Sequence, residues 1–316
     1  MKSKIAELFA TYGPCGRETA IAELIWENVM PYVDMVTTDL LGNVIAVKNG
    51  RGEKNILISC PMDRPGLAIL EAGEKYLRSD LVGSLLFENI HLQTAMFSDG
   101  AEFTVYDLDK DGNKLFETSV GIDVENAPNK EKYQKTAQFA MLKSELKETD
   151  DSVQGFGVGV IACCNILLDL AQNLKTNNTV TFVFTAMSQL DDKAIGCAIS
   201  AVKPDVWIEL KPIQHQLGKI EAAKGPAVEI PMQRRRGDAP LLTVDPSDHI
   251  QVMMMNRRAQ NPLFGIKKDH FGYAGLCSLR LPVINQKTGN EQCLRRDIND
   301  TFAYITKLVE QVEANV

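Results

Sequence analysis

The apolar positions of residues 16–30 recur every three or four residues, which is the spacing of one face of an α-helix. The pattern farther along the chain predicts more helices and several buried strands. We expect helices over 16–30, 158–174, 193–202 and 297–313, and strands at about 33–38, 43–48, 55–60, 180–184 and 205–210. Strands that alternate with helices in this way are typical of an α/β fold, with a mostly parallel sheet flanked by helices.

Residues 71–151 have a different pattern. Short strand-like runs are separated by the turns SDG and DKDGN, and no strong helical pattern occurs before about residue 130. We interpret this segment as a small β-rich domain that is inserted into the chain. The α/β domain would then consist of residues 1–70 and 152–316.

The composition is that of an ordinary globular protein, with 316 residues of which 45% are hydrophobic and 24% are charged. The net charge of −7 argues against a nucleic-acid partner, and no apolar run approaches the ~18 residues of a membrane span. The seven cysteines are odd in number, and several of them lie in apolar runs. Reduced thiols and the lack of a signal-type apolar block at the amino terminus indicate a cytoplasmic protein.

Two predicted strand ends carry the candidate chemistry. Ligand sites of parallel sheets lie at the carboxyl ends of the strands, which here are residues 60–66 and 186–192. The first stretch contains Asp63, and the second contains the neighbouring carboxylates Asp191 and Asp192. These two carboxylates have two interpretations, a catalytic pair or the cap of the helix that follows. The four histidines form no pair with the spacing of metal ligands.

Three glycines, Gly155, Gly157 and Gly159, come directly before or at the start of a predicted helix. Such glycines are compatible with a phosphate site at the amino end of the helix. A dinucleotide-binding motif also requires a strand directly before it, and residues 143–153 are too polar for a buried strand. The sequence therefore favours a glycine-rich entry to the helix over a nucleotide site.

Three short motifs resemble those of a known family. PCGRE at 14–18 is similar to P-S-G-x-E, DLLGN at 39–43 to D-x-x-G-N, and KGP at 224–226 to K-G-P. In these motifs and in the order of its elements, essentially the whole chain resembles the glutamyl-aminopeptidase and tetrahedral-aminopeptidase family of co-catalytic metallopeptidases, formerly mislabelled endoglucanases. The resemblance implies that residues 71–151 are a dimerisation domain. It also implies a homo-oligomer, from a dimer up to a dodecamer.

The resemblance further implies where a metal site would lie. Members of this family hold two zinc or cobalt ions with histidines and carboxylates, and a glutamate acts as the general base. In this chain the ligand positions fall on Pro61, Gly155, Asp191, Lys211 and Lys287, and the position of the general base falls on Leu190. Only Asp191 can bind a metal ion in the usual way, because a free lysine is protonated at pH 7. The resemblance therefore implies a protein without bound metal ions.

The replaced positions predict a different kind of pocket. We expect partly buried lysine–carboxylate pairs to hold it together in place of metal ions. The cations would be Arg64, Lys211 and Lys287, and the carboxylates Asp63, Asp191 and Glu209. The complete pocket would consist of Pro61, Asp63, Arg64, Gly155, Leu190, Asp191, Glu209, Lys211 and Lys287.

Three functions are compatible with these observations. The favoured one is a homologue that has lost metal binding and peptidase activity, and that binds peptides or another small polar ligand as an oligomeric binding or regulatory protein. The alternative is an active aminopeptidase or other hydrolase with an altered site, in which Asp63 or Asp191 is the catalytic base. The third is a structural subunit that assembles with an active paralogue.

Overall fold

The computed structural model describes residues 4–83, 85–134, 138–215, 219–230, 249–254 and 275–314. The described helices are α1 (Lys4–Ala10), α2 (Thr19–Val29), α3 (Val158–Asn173), α4 (Lys193–Val202) and α5 (Arg295–Ala314). The described strands are β1 (Met35–Thr38), β2 (Val44–Lys48), β3 (Asn55–Pro61), β4 (Gly66–Ala72), β5 (Tyr76–Val82), β6 (Thr94–Met96), β7 (Glu102–Tyr106), β8 (Val120–Asp123), β9 (Phe139–Lys143), β10 (Lys147–Glu148), β11 (Ser152–Gln154), β12 (Thr179–Thr185), β13 (Val206–Gln214), β14 (Ala227–Ile230), β15 (Gln251–Met254), β16 (Gly275–Val283) and β17 (Gln292–Leu294). None of the helices in these ranges is long and apolar enough to cross a membrane.

The main sheet has eight strands in the order β1-β2-β12-β3-β13-β16-β14-β15. Its four central strands, β12, β3, β13 and β16, run parallel to one another. On either side of them, β2 and β14 pair antiparallel with their inner neighbours. The turn between β1 and β2 is short, and a short turn joins antiparallel strands. At the edge of the sheet, β14 and β15 pair parallel again. The α/β prediction is thus confirmed, whereas the sheet is mixed and not mostly parallel along its whole width.

Helices cover both faces of the central strands, because these strands are apolar on both sides. In β3, Ile56 and Ile58 face the large core that contains residues of α1, α2, α3 and α5. Leu57 points to the opposite face, where it packs in a smaller cluster with residues of α4 and with Trp207 of β13. The period of two along a strand therefore assigns successive side chains to two different cores.

A closed barrel is formed by six strands in the order β4-β5-β8-β7-β6-β9. The barrel has its own apolar core, in which Leu67, Leu77 and Ile122 are completely buried. Closure pairs every strand on both sides, so the barrel has no free edge. A β-rich unit thus lies between the two parts of the α/β fold, while its boundaries at residues 71 and 151 stay a prediction.

The turn at residues 39–43 holds the segment that follows β12. The side chain of Asn43 is completely buried, accepts a hydrogen bond from the backbone N–H of Ala186 at 3.0 Å and donates one to the carbonyl of Ala194 at 2.8 Å. Asp39 accepts hydrogen bonds from the side chain and the backbone of Asn43. The DLLGN motif is therefore a clamp at the carboxyl ends of the central strands.

We predict that Asn43→Ala lowers the free energy of unfolding by about 2–3 kcal/mol, because a buried N–H and a buried carbonyl lose their partners. Urea denaturation followed by circular dichroism measures the difference. Asn49→Ala is the matched control, since Asn49 is exposed just after β2 and its loss should leave the unfolding midpoint unchanged. Equal stability of the two variants would contradict the clamp.

Candidate functional site

A small cavity lies at the carboxyl ends of β3, β12 and β13. Its walls are Ser59, Cys60, Pro61, Thr185, Ala186, Ser188, Asp191, Asp192, Ile195, Glu209, Leu210 and Lys211. The free volume is about 10 Å³, roughly the room that one water molecule needs. Four of the residues predicted to form the pocket, Pro61, Asp191, Glu209 and Lys211, lie together around this cavity.

Lys211 is the centre of a chain of charges whose members are buried or partly buried. Its Nζ lies 2.8 Å from Oδ1 of Asp192 and 2.9 Å from Oε1 of Glu209. Oε2 of Glu209 lies 3.3 Å from Nη1 of Arg280 and accepts a hydrogen bond from the hydroxyl of Ser278 at 2.7 Å. Each oxygen of Glu209 thus lies close to a cation, Oε1 to Lys211 and Oε2 to Arg280.

The chain of charges continues through Arg280, whose Nη2 lies 2.7 Å from Oε2 of Glu229. The strand register explains this arrangement: Glu209 pairs with Ser278 and Lys211 pairs with Arg280. Side chains two residues apart on a strand share a face, so neighbouring strands present alternating charges side by side. The network therefore joins β13, β16 and β14 on one face of the sheet.

The charges of this network are mutually stabilised. Burial alone would raise the pKa of Glu209, but the nearby Lys211 and Arg280 outweigh it and lower that pKa to about 2. Burial opposes the charge of Lys211 as well, yet Glu209 and Asp192 raise its pKa above the usual value. Lys211 and Glu209 are therefore both ionised at neutral pH.

Asp63 is completely buried, and its carboxylate binds the loop after β12. Its Oδ1 accepts hydrogen bonds from the backbone N–H and the hydroxyl of Ser188, and its Oδ2 accepts one from the N–H of Gln189 at 2.9 Å. Burial raises the pKa of Asp63, and these hydrogen bonds counteract part of the rise. A carboxylate with both oxygens engaged by the backbone is poorly placed to act as a base.

Within the described residues, one group of side chains has the donor types and spacing of a metal site: Cys15, Glu18 and Asp63. Oε1 of Glu18 already accepts hydrogen bonds from the N–H groups of Gly16 and Met187, at 2.7 and 2.9 Å. Burial raises the pKa of the Cys15 thiol, which keeps it protonated. The group therefore fits a hydrogen-bonded support of the loop and does not fit a metal ion.

Asp191 is engaged at the start of α4. Its Oδ1 accepts a hydrogen bond from the N–H of Lys193 at 2.8 Å, and its Oδ2 lies 2.9 Å from Nζ of the same lysine. The hydrogen bond from Lys193 lowers the pKa of Asp191. These contacts favour the helix-start interpretation, while the neighbouring Asp192 is the residue that contacts Lys211. Leu190 points outward and is 61% exposed.

Arg64 and Gly155 lie away from the charge network. The guanidinium of Arg64 packs over the ring of Phe9 and donates a hydrogen bond to the carbonyl of Thr11 at 2.5 Å. A Cβ at Gly155 would lie 2.5 Å from the ring of Phe9, so only glycine fits there. A Cβ at Gly157, whose φ is +75°, would lie 2.8 Å from the side chain of Arg64. These residues pack against α1 and the segment after it.

Lys287 and the helix entry are held by Glu291, whose role the sequence motifs did not reveal. Oε2 of Glu291 accepts a hydrogen bond from the backbone N–H of Lys287, and Oε1 accepts one from the N–H of Gly159, both at 2.7 Å. A carboxylate thus occupies the amino end of α3, where a phosphate would bind. Burial raises the pKa of Glu291 to about 7. In the part of the chain that the structure describes, Nζ of Lys287 has no carboxylate partner within 4 Å.

Of the three predicted cations, Arg64, Lys211 and Lys287, only Lys211 pairs with carboxylates among the described residues, and most of the members of its network were not predicted. Asp192, Arg280 and Glu229 complete the network. Arg280 stands between leucines in the run SLRLP, and a charge inside an apolar strand was the available signal. The identity of its partner depends on strand order and register, which a single sequence does not contain.

Comparisons with known proteins agree with the fold. No protein-family model matches the chain. A curated relative from Acetivibrio thermocellus, named "Putative aminopeptidase", is 27% identical over 231 residues, which is 69% of either chain. The solved structure of aminopeptidase APDkam598 from the archaeon Desulfurococcus kamchatkensis has a TM-score of 0.80 at 18% identity, over 98% of this chain and 96% of its own.

A second solved structure is the TET1 peptidase of Pyrococcus horikoshii, which can assemble into a tetrahedron or a large octahedral shell. It matches with a TM-score of 0.76 at 19% identity, over 98% of both chains. The chain therefore has the aminopeptidase fold. More particularly, its fold is that of the tetrahedral aminopeptidases, and the resemblance inferred from its sequence motifs is confirmed.

We predict that Lys211→Met lowers the free energy of unfolding by about 3–5 kcal/mol, because Glu209 and Asp192 lose a buried partner. Urea denaturation at pH 7 measures the loss. Lys193→Met is the control, since it removes an exposed lysine from a surface ion pair and should leave the unfolding midpoint unchanged. If both variants unfold at the same urea concentration as the unmodified chain, the buried network does not support the fold.

Proposed function

We propose that this chain is a non-catalytic homologue of the tetrahedral aminopeptidases, which works without metal ions as an oligomeric binding or regulatory protein. The observation that carries the proposal is the pairing of Lys211 with Asp192 and Glu209 at the strand ends. In the resemblance, Lys211 stands at the position of a metal ligand. Here its ammonium group supplies the positive charge that a metal ion would otherwise bring to the neighbouring carboxylates.

The donor chemistry also argues against metal binding. A protonated lysine has three N–H donors and no lone pair to offer a metal ion. The raised pKa of Lys211 keeps it protonated. The cavity beside it has room for about one water molecule, which leaves no place for two ions and a bridging water. The residues present therefore do not fit a two-metal centre.

The candidates for a general base are engaged elsewhere. Asp63 accepts hydrogen bonds from the loop after β12, and Asp191 pairs with Lys193 at the start of α4. Leu190, at the position that the resemblance gives to the general base, has no group that accepts a proton. A base needs a free lone pair within reach of the substrate or of a water molecule.

An active hydrolase is the alternative, and the name of the curated relative favours it. In that case Asp191 is the better candidate for the base. It lines the cavity, and its contacts with Lys193 are exposed and can be exchanged for water. Asp63 would first have to release the N–H groups of Ser188 and Gln189.

We predict that purified protein contains far less than one equivalent of zinc or cobalt per chain, and that it does not hydrolyse aminoacyl-nitroanilides with or without these ions. Elemental analysis and an absorbance assay measure the two quantities, and an active tetrahedral aminopeptidase in parallel serves as positive control. Two equivalents of metal, together with cobalt-stimulated turnover that Asp191→Asn abolishes, would establish the hydrolase instead.

We also propose that the chain forms a homo-oligomer through the barrel and its surroundings, with residues 71–151 as a dimerisation domain. The assembly of the TET1 peptidase of Pyrococcus horikoshii supports this.

The seven cysteines, six of them buried, suit a reducing compartment such as the cytoplasm.

We predict that light scattering gives a mass that is an even multiple of 35.0 kDa, from two to twelve chains. A single species of about one chain mass would overturn the proposed assembly. Co-purification with an active paralogue from the native host would show a mixed assembly, whereas an isolate made of this chain alone would exclude one.

A further inference from the structure

A second and much larger cleft lies between the barrel and the loop that follows β16. One wall contains Asn89 and Gln93 from the segment between β5 and β6, and the other contains Asn285 and residues 288–290. The cleft has a volume of about 630 Å³, within the ~300–1,000 Å³ typical of ligand sites. It is thus a better place for a ligand than the cavity at Lys211.

The walls of this cleft are rich in carboxamide groups. Five of its fourteen residues are asparagine or glutamine, and three more carry hydroxyl groups. Within the described residues, the side chains of Asn89, Gln93 and Asn285 make no hydrogen bond. Nε2 of Gln154 donates a hydrogen bond to Oδ1 of Asn290 at 3.1 Å. Each of these two carboxamides can still form further hydrogen bonds with a ligand. The site therefore presents several free donor and acceptor groups side by side.

The remaining side chains narrow the class of ligand. The cleft has two acidic and two basic residues, and Lys143 is already paired with Glu102, so the site does not select a strongly charged ligand. Leu92 is the one large apolar side chain, and no aromatic ring is present among the described lining residues for stacking on a sugar or a base. A neutral ligand rich in hydrogen bonds fits best.

We infer that this cleft binds short peptides in extended form through their backbone amides. A carboxamide has both N–H donors and a carbonyl acceptor, so it complements the N–H and C=O of a peptide group. The choice of peptides over other neutral polar ligands rests on the proposed function, whereas the position of the site rests on the cleft alone.

Isothermal titration calorimetry with triglycine tests the inference, with N-acetyl-triglycine amide to remove the terminal charges and maltotriose as a neutral polyol. We expect both peptides to bind and maltotriose not to bind. Gly289→Trp should abolish binding, because the indole would fill the cleft. At this position a Cβ meets only the flexible end of Gln93.

Two further variants test the carboxamides. Asn89→Ala combined with Asn285→Ala should raise the Kd about tenfold or more, because two carboxamides that would bind the peptide are lost. Asn49→Ala, which removes an exposed carboxamide elsewhere, should leave the Kd unchanged. Circular dichroism of each variant shows that it is folded.

The inference is overturned if the unmodified chain does not bind triglycine, if Gly289→Trp binds it equally well, or if maltotriose binds in its place. Metal content and nitroanilide turnover are measured on the same preparations. These two quantities test the proposed function, so its failure can be distinguished from a failure of the peptide-binding inference. An active, metal-containing chain that loses peptide binding in Gly289→Trp would contradict the proposed function and still support the cleft.

Discussion

The contact between Lys211 and Glu209 is the constraint around which the strand-end region is organised. Two opposite charges removed from water are tolerable only when each keeps its partner, because desolvation is costly and the attraction mainly offsets it. The pair therefore contributes register more than stability: β13 must lie beside β16 with Lys211 opposite Arg280, or the charges lose their partners. Arg280 also pairs with Glu229, so β14 must lie beside β16 for the same reason.

Polar side chains at this edge of the sheet have a common task, which is to hold backbone N–H groups where strands end and helices begin. Asn43 holds Ala186, Asp63 holds Ser188, and Glu291 holds Gly159. Backbone groups at such places have no partner in the strand or helix itself, so a buried side chain must supply one. The oxygens of these side chains are therefore engaged in supporting the fold at the strand ends.

The helices and the strands were predictable because each depends on a short stretch of sequence. The helix at 193–202 was predicted with the ends that the structure gives it. β3 begins at the predicted residue and ends one residue later, and β12 extends one residue beyond the prediction at either end. The antiparallel pairing of β2 with β12 and the partners of Lys211 were not predictable, since both depend on which strands become neighbours. The family resemblance pointed to Lys211, but the structure was needed to identify Asp192 and Arg280.

The buried network also restricts how this chain can evolve. A change of Lys211 to aspartate would place a third carboxylate beside Glu209 and Asp192, with Arg280 as the nearest remaining cation. Such a chain would be destabilised before it gained any ability to bind metal, because several ligands are needed for a metal site. Lys211 can therefore be replaced without loss of the fold only when Glu209 or Asp192 changes with it.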